Sequence, residues 1–78
     1  MADSLLSRIT MNPEVSFGKP TIRNMRYPVE IMLDLIGSGM SFEEILEDYP
    51  DLKRDDLLAC ILFAREAIRV KSIHRLAS

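Results

Sequence analysis

Five cations stand where they can meet a nucleic-acid backbone: Lys19, Arg23 and Arg26 in one short stretch, and Lys53 and Arg54 in another. Lysine and arginine neutralise phosphates and fix the register of a protein on a duplex, whereas base readout needs donors aligned with base edges. Asp51, Asp55 and Asp56 flank the second pair and would repel the same phosphates. The first stretch is therefore the better basic footprint, and Arg65, Arg69, Lys71 and Arg75 extend it if the last helix returns alongside. Other chemistry finds less support. Glu43, Glu44, Glu47 and Asp48 form a local acidic run, but a hydrolase or metal site needs convergent donors and an open position for the reacting group. His74 is the sole imidazole and Cys60 the sole thiol. Neither has the neighbours that acid-base or nucleophilic work requires. The sequence thus predicts no catalytic residue, no metal ligand and no cofactor, and reads as a binding or regulatory module rather than an enzyme.

Cations act only if elements hold them, and prolines, glycines and apolar spacing define those elements. Leu5, Leu6, Ile9 and Met11 precede the Asn12-Pro13 turn signal, and Thr21, Ile22, Met25, Tyr27 and Val29 follow the bend at Gly18-Lys19-Pro20. Two short strands or extended arms result, with Pro20 and Pro28 at ends or edges because proline donates no backbone hydrogen bond. Asn24 tolerates the left-handed region and marks a tight turn or bulge. Pro28 suits the first turn of a helix. Val29, Met32, Leu35 and Ile36 then repeat at helical spacing, with Ile31 widening the face, until Gly37-Ser38-Gly39.

Ser41 and Glu44 form a capping box, with Met40 and Ile45 set for a hydrophobic staple. Phe42, Ile45 and Leu46 face inward until Tyr49-Pro50 ends that helix. Asp55 and Asp56 favour the start of a third helix, expected from about Arg54 to Arg69 or beyond. Its packing surface is Leu57, Leu58, Ile61, Leu62, Ala64 and Ile68, with Ala67 beside it. The expected fold class is mainly α: a three-helix, homeodomain-like or helix-turn-helix core over residues 28–70, a short N-terminal β-hairpin or extended arm over 1–27, and a flexible tail over 71–78, all one structural domain.

A chain of 78 residues removes only roughly 60% of its unfolded surface from water. A core so limited, with a marginal two-stranded arm, predicts a homodimer. The 47% of apolar residues and the net charge of -2 place the chain among globular proteins. No segment supplies the roughly 20 apolar residues needed to span a bilayer, Met1 to Thr10 does not resemble a secretion signal, and a lone cysteine makes no intrachain disulfide. A cytoplasmic protein without a membrane partner is expected. Charge is segregated: residues 28–60 carry nine acidic and two basic groups, while the flanks are basic.

In order along the chain, Ile9 to Pro13, Gly18-Lys19-Pro20 with Ile22-Arg23, Arg26, Pro28-Val29, Gly39, Ser41, Glu44-Ile45 and Tyr49-Pro50 resemble the domain-of-unknown-function family numbered 433, a group of small antitoxin-like proteins. The resemblance covers about Ile9 to Ala64. Four positions depart from it: Asn24-Met25 replaces the glycine-containing turn usual between the two arginines, Phe17 stands where another glycine is common, and Lys53 takes the place of a hydroxyl cap. The resemblance implies an arm over Gly18 to Arg26, a helix-turn-helix-like portion over roughly Met40 to Ala64, upstream operator DNA as a ligand, and a PIN-like ribonuclease toxin as the protein partner. The alternative class is a noncatalytic protein-interaction or scaffold module that uses the acidic middle and never touches nucleic acid, since that field opposes a phosphate ligand.

Overall fold

The computed structural model describes residues 2–16 and 18–71. Its elements are α1 (Ala2–Leu6), β1 (Ile9–Thr10), α2 (Pro13–Ser16), β2 (Thr21–Ile22), α3 (Val29–Gly37), α4 (Phe42–Asp48) and α5 (Arg54–Lys71). The fold is mainly α, with α3, α4 and α5 forming a helix-turn-helix-like core and β1 and β2 forming a short antiparallel hairpin in the register Ile9 with Ile22 and Thr10 with Thr21. Among the described residues no helix is long and apolar enough to cross a membrane. Phe17, His74 and the tail beyond residue 71 lie outside the described residues.

The N-terminal segment is more helical than its sequence suggests. Leu5 and Leu6, expected in an extended arm, belong to α1, which packs on α5. Leucine is a good helix former, and both leucines are half-buried there. Asn12-Pro13 opens α2: the Asn12 side chain accepts the Glu14 N–H at 2.9 Å, and Pro13 takes the first helical position. Beyond β2, the Met25 N–H donates to the Ile22 carbonyl at 2.7 Å and closes a turn whose central residues, Arg23 and Asn24, have φ of 46° and 58°. Two successive positive φ values mark a primed turn of the kind that joins tightly twisted strands. The chain then runs back along β2, with Ile22 N–H on the Tyr27 carbonyl and Val29 N–H on the Pro20 carbonyl. Thr21 and Ile22 are thereby flanked on both sides and fully buried.

Pro28 lies one residue before its expected place, as the extended N-cap of α3 at φ -66° and ψ 141°. At the other end Gly39 takes φ 102°, Gly39 N–H reaches the Ile36 carbonyl and Met40 N–H reaches the Leu35 carbonyl. This paired closure is a Schellman cap, and the left-handed residue is the glycine it favours. The Ser41–Glu44 capping box is complete: Glu44 N–H donates to Ser41 Oγ at 3.2 Å and Ser41 N–H to Glu44 Oε1 at 2.8 Å. α4 ends at Asp48, before Tyr49-Pro50, as the steric limits on a residue preceding proline require.

Ile22, Val29, Met32, Ile45, Leu52, Leu57 and Cys60 form the centre of the core. Three expected packing residues lie outside it: Ile31, Ile61 and Ile68 are exposed. α5 is apolar over much of its circumference, so spacing alone leaves more than one inward face open. The face chosen carries Asp56, Leu57, Ala59 and Cys60, all buried.

Candidate nucleic-acid interface

The turn between α4 and α5 is held by a buried ionic clasp. Asp56 is 0% exposed. Its Oδ1 accepts Arg8 Nη1 at 2.9 Å and Arg23 Nε at 3.1 Å, while Oδ2 accepts Arg23 Nη2 at 2.8 Å and the Lys53 backbone N–H at 2.8 Å. Burial penalises the carboxylate, but the hydrogen bonds from Arg23, the Lys53 amide and Arg8 outweigh it and hold the acid below its ordinary value. Arg23 reaches further, donating from Nη2 to the Asp51 carbonyl at 3.0 Å, and its backbone N–H donates to the Arg8 carbonyl at 2.7 Å. The unusual left-handed backbone at Arg23 thus serves a tertiary contact: it costs on the order of 1 kcal/mol and is set against a multiply bonded charge pair.

This arrangement separates the predicted contact residues into two groups. Arg23 turns its guanidinium onto Asp56 and Asp51. Lys19, Arg26, Lys53 and Arg54 have exposed side chains. Arg54 opens α5 and lies 4.9 Å from the Phe42 ring centroid, a cation–π contact that ties the first residue of α5 to the first of α4. Lys53 immediately precedes it. Asp51 and Asp55 are exposed on the same approach, and Tyr27 Oη donates to Asp51 Oδ2 at 3.3 Å. The Tyr27 and Tyr49 rings meet edge to face at 5.5 Å beside this loop. Burial, then the Asp51 charge, pushes the Tyr27 phenol above its ordinary value.

Of the three aspartates expected to repel phosphate, Asp56 is withdrawn from the surface and matched by two guanidinium groups. Arg8 was absent from the sequence-derived set, and its pairing with Asp56 across 48 residues has no local signature. The other half of the clasp does have one. An acid three residues after the helix cap is half of a capping box, and Asp56 accepts the Lys53 amide in that geometry. Lys53 therefore forgoes the hydroxyl that a cap usually supplies, and the cap's own amide is satisfied by Asp56.

The acidic run on α4 is spoken for in part by Glu44, which caps its own helix. Among the described residues no group of three or more His, Cys, Asp and Glu side chains is arranged to hold a metal. Cys60 is buried, and burial followed by the nearby Asp56 charge pushes its thiol up to about 12, so at neutral pH it is a small packing group. A separate feature is an apolar groove of about 470 Å³ between the start of α3 and the second half of α5.

No curated protein and no solved structure matches the chain. The family model described as a protein of unknown function, DUF433, matches residues 9–64, a span from β1 through Arg23 and Asp56 of the clasp, the capped α4 and most of α5, with Arg8 just outside it. On that match the chain belongs to the DUF433 family.

Proposed function

We propose that this protein is an antitoxin-type regulator: a noncatalytic, cytoplasmic homodimer that binds operator DNA upstream of its own coding region and inhibits a PIN-like ribonuclease partner. The observation that carries the DNA half of this reading is the α4–turn–α5 unit, with Lys53 and Arg54 exposed at the start of α5 and Asp56 removed from the surface by the clasp. Helix-turn-helix proteins present the start of their second helix to the major groove. Lys19, Arg26, Lys53 and Arg54 make the phosphate contacts in this reading. Arg23 joins them chiefly by holding the turn through Asp56, with its remaining exposed edge turned toward the duplex.

A protein-interaction module without nucleic-acid binding is the second reading, favoured by the apolar groove and by exposed Asp51 and Asp55 beside the cations. The two separate in one measurement. Binding to the upstream duplex and to an unrelated duplex is compared across salt concentrations. The regulator prefers the upstream sequence, and the double substitution Lys53→Ala, Arg54→Ala weakens binding and lowers the salt slope by about 2. Failure of the folded protein to bind either duplex assigns it to the second class, and equal affinity for both overturns operator recognition. Copurification with the ribonuclease, with loss of its cleavage activity, tests the inhibitory half.

A further inference from the structure

The groove and the exposed edge of α5 fit one another. The groove is walled by Val29 and Leu33 of α3 and by Phe63, Ala64, Ala67 and Ile68 of α5. Ala64 and Ala67 keep its floor low enough for another helix to approach closely. Glu30 of α3 and Lys19 both line its rim, and Asp34, exposed, stands one turn beyond Glu30. An occupant that meets the Glu30–Asp34 side of this rim is a helix with large apolar residues on one stripe and a cation beside them.

Such a stripe stands on the same chain. Ile61 and Ile68 are 40% and 50% exposed, and Arg65 lies between them, four residues after the first and three before the second. Positions separated by three, four and seven share one side of a helix. Arg65 bonds its neighbour Glu66 at 3.1 Å across an exposed pair, an attachment weak enough to exchange for another carboxylate.

We infer that the groove is the seam of a homodimer, in which the Ile61–Arg65–Ile68 edge of each copy lies in the groove of the other. This deepens the homodimer named above and rests on that part of the reading. A groove and its complementary edge side by side on one helix generate an isologous contact under a two-fold axis. An axis running along α5 keeps every residue at its own height. Glu30 lines the groove and Arg65 lies in sequence between Ala64 and Ala67 of its α5 wall, and in this seam Arg65 of one copy pairs with Glu30 of the other, twice over. Burying the two isoleucines and the apolar walls supplies the driving force, and the two charge pairs fix the register.

Sedimentation equilibrium of the full chain tests the seam. Wild type associates to a dimer in the micromolar range. Ile68→Glu, at a half-exposed position that leaves the helical circular dichroism unchanged, weakens the dimer by about a hundredfold because it places a charge in the seam. Glu30→Arg and Arg65→Glu each weaken it by about tenfold, and the double variant regains wild-type affinity. A wild-type chain that stays monomeric at high micromolar concentration overturns the seam and the homodimer together. A dimer whose affinity ignores Ile68→Glu, or a double charge swap that fails to recover, overturns the seam while the homodimer stands. Upstream-DNA preference is measured on the same samples, so failure of the regulatory reading is seen separately.

Discussion

The two halves of α5 invert the usual distribution of polar and apolar groups. At its start a carboxylate is 0% exposed and is bonded by two guanidinium groups and a backbone amide. Further along α5, Ile61 and Ile68 are 40% and 50% exposed, at the side of an open apolar groove. The polar end is complete within one chain, since every strong donor aimed at Asp56 comes from that chain. The apolar end is incomplete, because nothing in the described residues covers it. Stability is therefore concentrated where the arm meets the α4–α5 turn, and the proposed association where α5 runs past the core.

Breaking the clasp should have the largest effect on folding. Asp56→Ala removes the common acceptor and leaves Arg8 and Arg23 crowded together. Urea unfolding should show a loss of about 3 kcal/mol, at the low end for a broken buried pair because both arginines reach solvent. Arg23→Ala should lose less, about 2 kcal/mol, since Arg8 and the Lys53 amide still hold the carboxylate. Lysine at position 23 should recover only part of that loss, because a single ammonium cannot reproduce the paired Nε and Nη2 contacts.

Acid should act through the same group. The Asp56 carboxyl is held below its ordinary value of 3.8, so its contribution to stability is full above that pH and is lost as pH falls through the folded-state value. Unfolding free energies measured from pH 6 down to about pH 2 should drop more steeply for wild type than for Asp56→Asn, which no longer titrates at this site. Parallel curves for the two proteins would assign the acid sensitivity to other carboxylates.

A smaller effect belongs to the α4 cap, which lies between the two regions and depends on neither. Ser41→Ala removes the acceptor of the Glu44 amide and should cost about 1 kcal/mol in urea. It should leave the steep acid limb of the Asp56 clasp in place. A cap loss comparable to that of Asp56→Ala would mean that stability is spread along the chain instead of gathered at the clasp.

How much of this could be read in the sequence follows the range of each interaction. The Ser41–Glu44 box, the stop at Tyr49-Pro50 and the left-handed Asn24 are set by residues within four positions of one another, and all are found as expected. The hairpin and the three core helices follow from spacing alone. α1 was missed because two adjacent leucines suit a strand or a helix equally. The inward face of α5 was misread because apolar residues occupy most of its surface, and the decision rests on Asp56, whose partners lie 33 and 48 residues away. Arg23 was recognised as a cation of the arm, but its duty to Asp56 is tertiary and leaves no trace in neighbouring residues.

The smallest expected folding effect is also the sharpest separation of the two ends. Ile61 is 40% exposed, so Ile61→Ser removes only part of the area that a core isoleucine buries, and its cost to the monomer should stay within about 1 kcal/mol. The same change at Ile45, which is fully buried, should cost several times as much, since it removes core contacts and buries a hydroxyl. Thermal unfolding at two protein concentrations distinguishes folding from association. Dilute samples should unfold within about 5 °C of wild type, because in the proposed seam both are monomers at low concentration. Concentrated wild type should gain stability by mass action while the variant gains less, so the gap between them should widen with concentration. A large deficit already present in dilute solution would place Ile61 in the interior of a single chain, and the contrast between a closed start and an open end of α5 would fail.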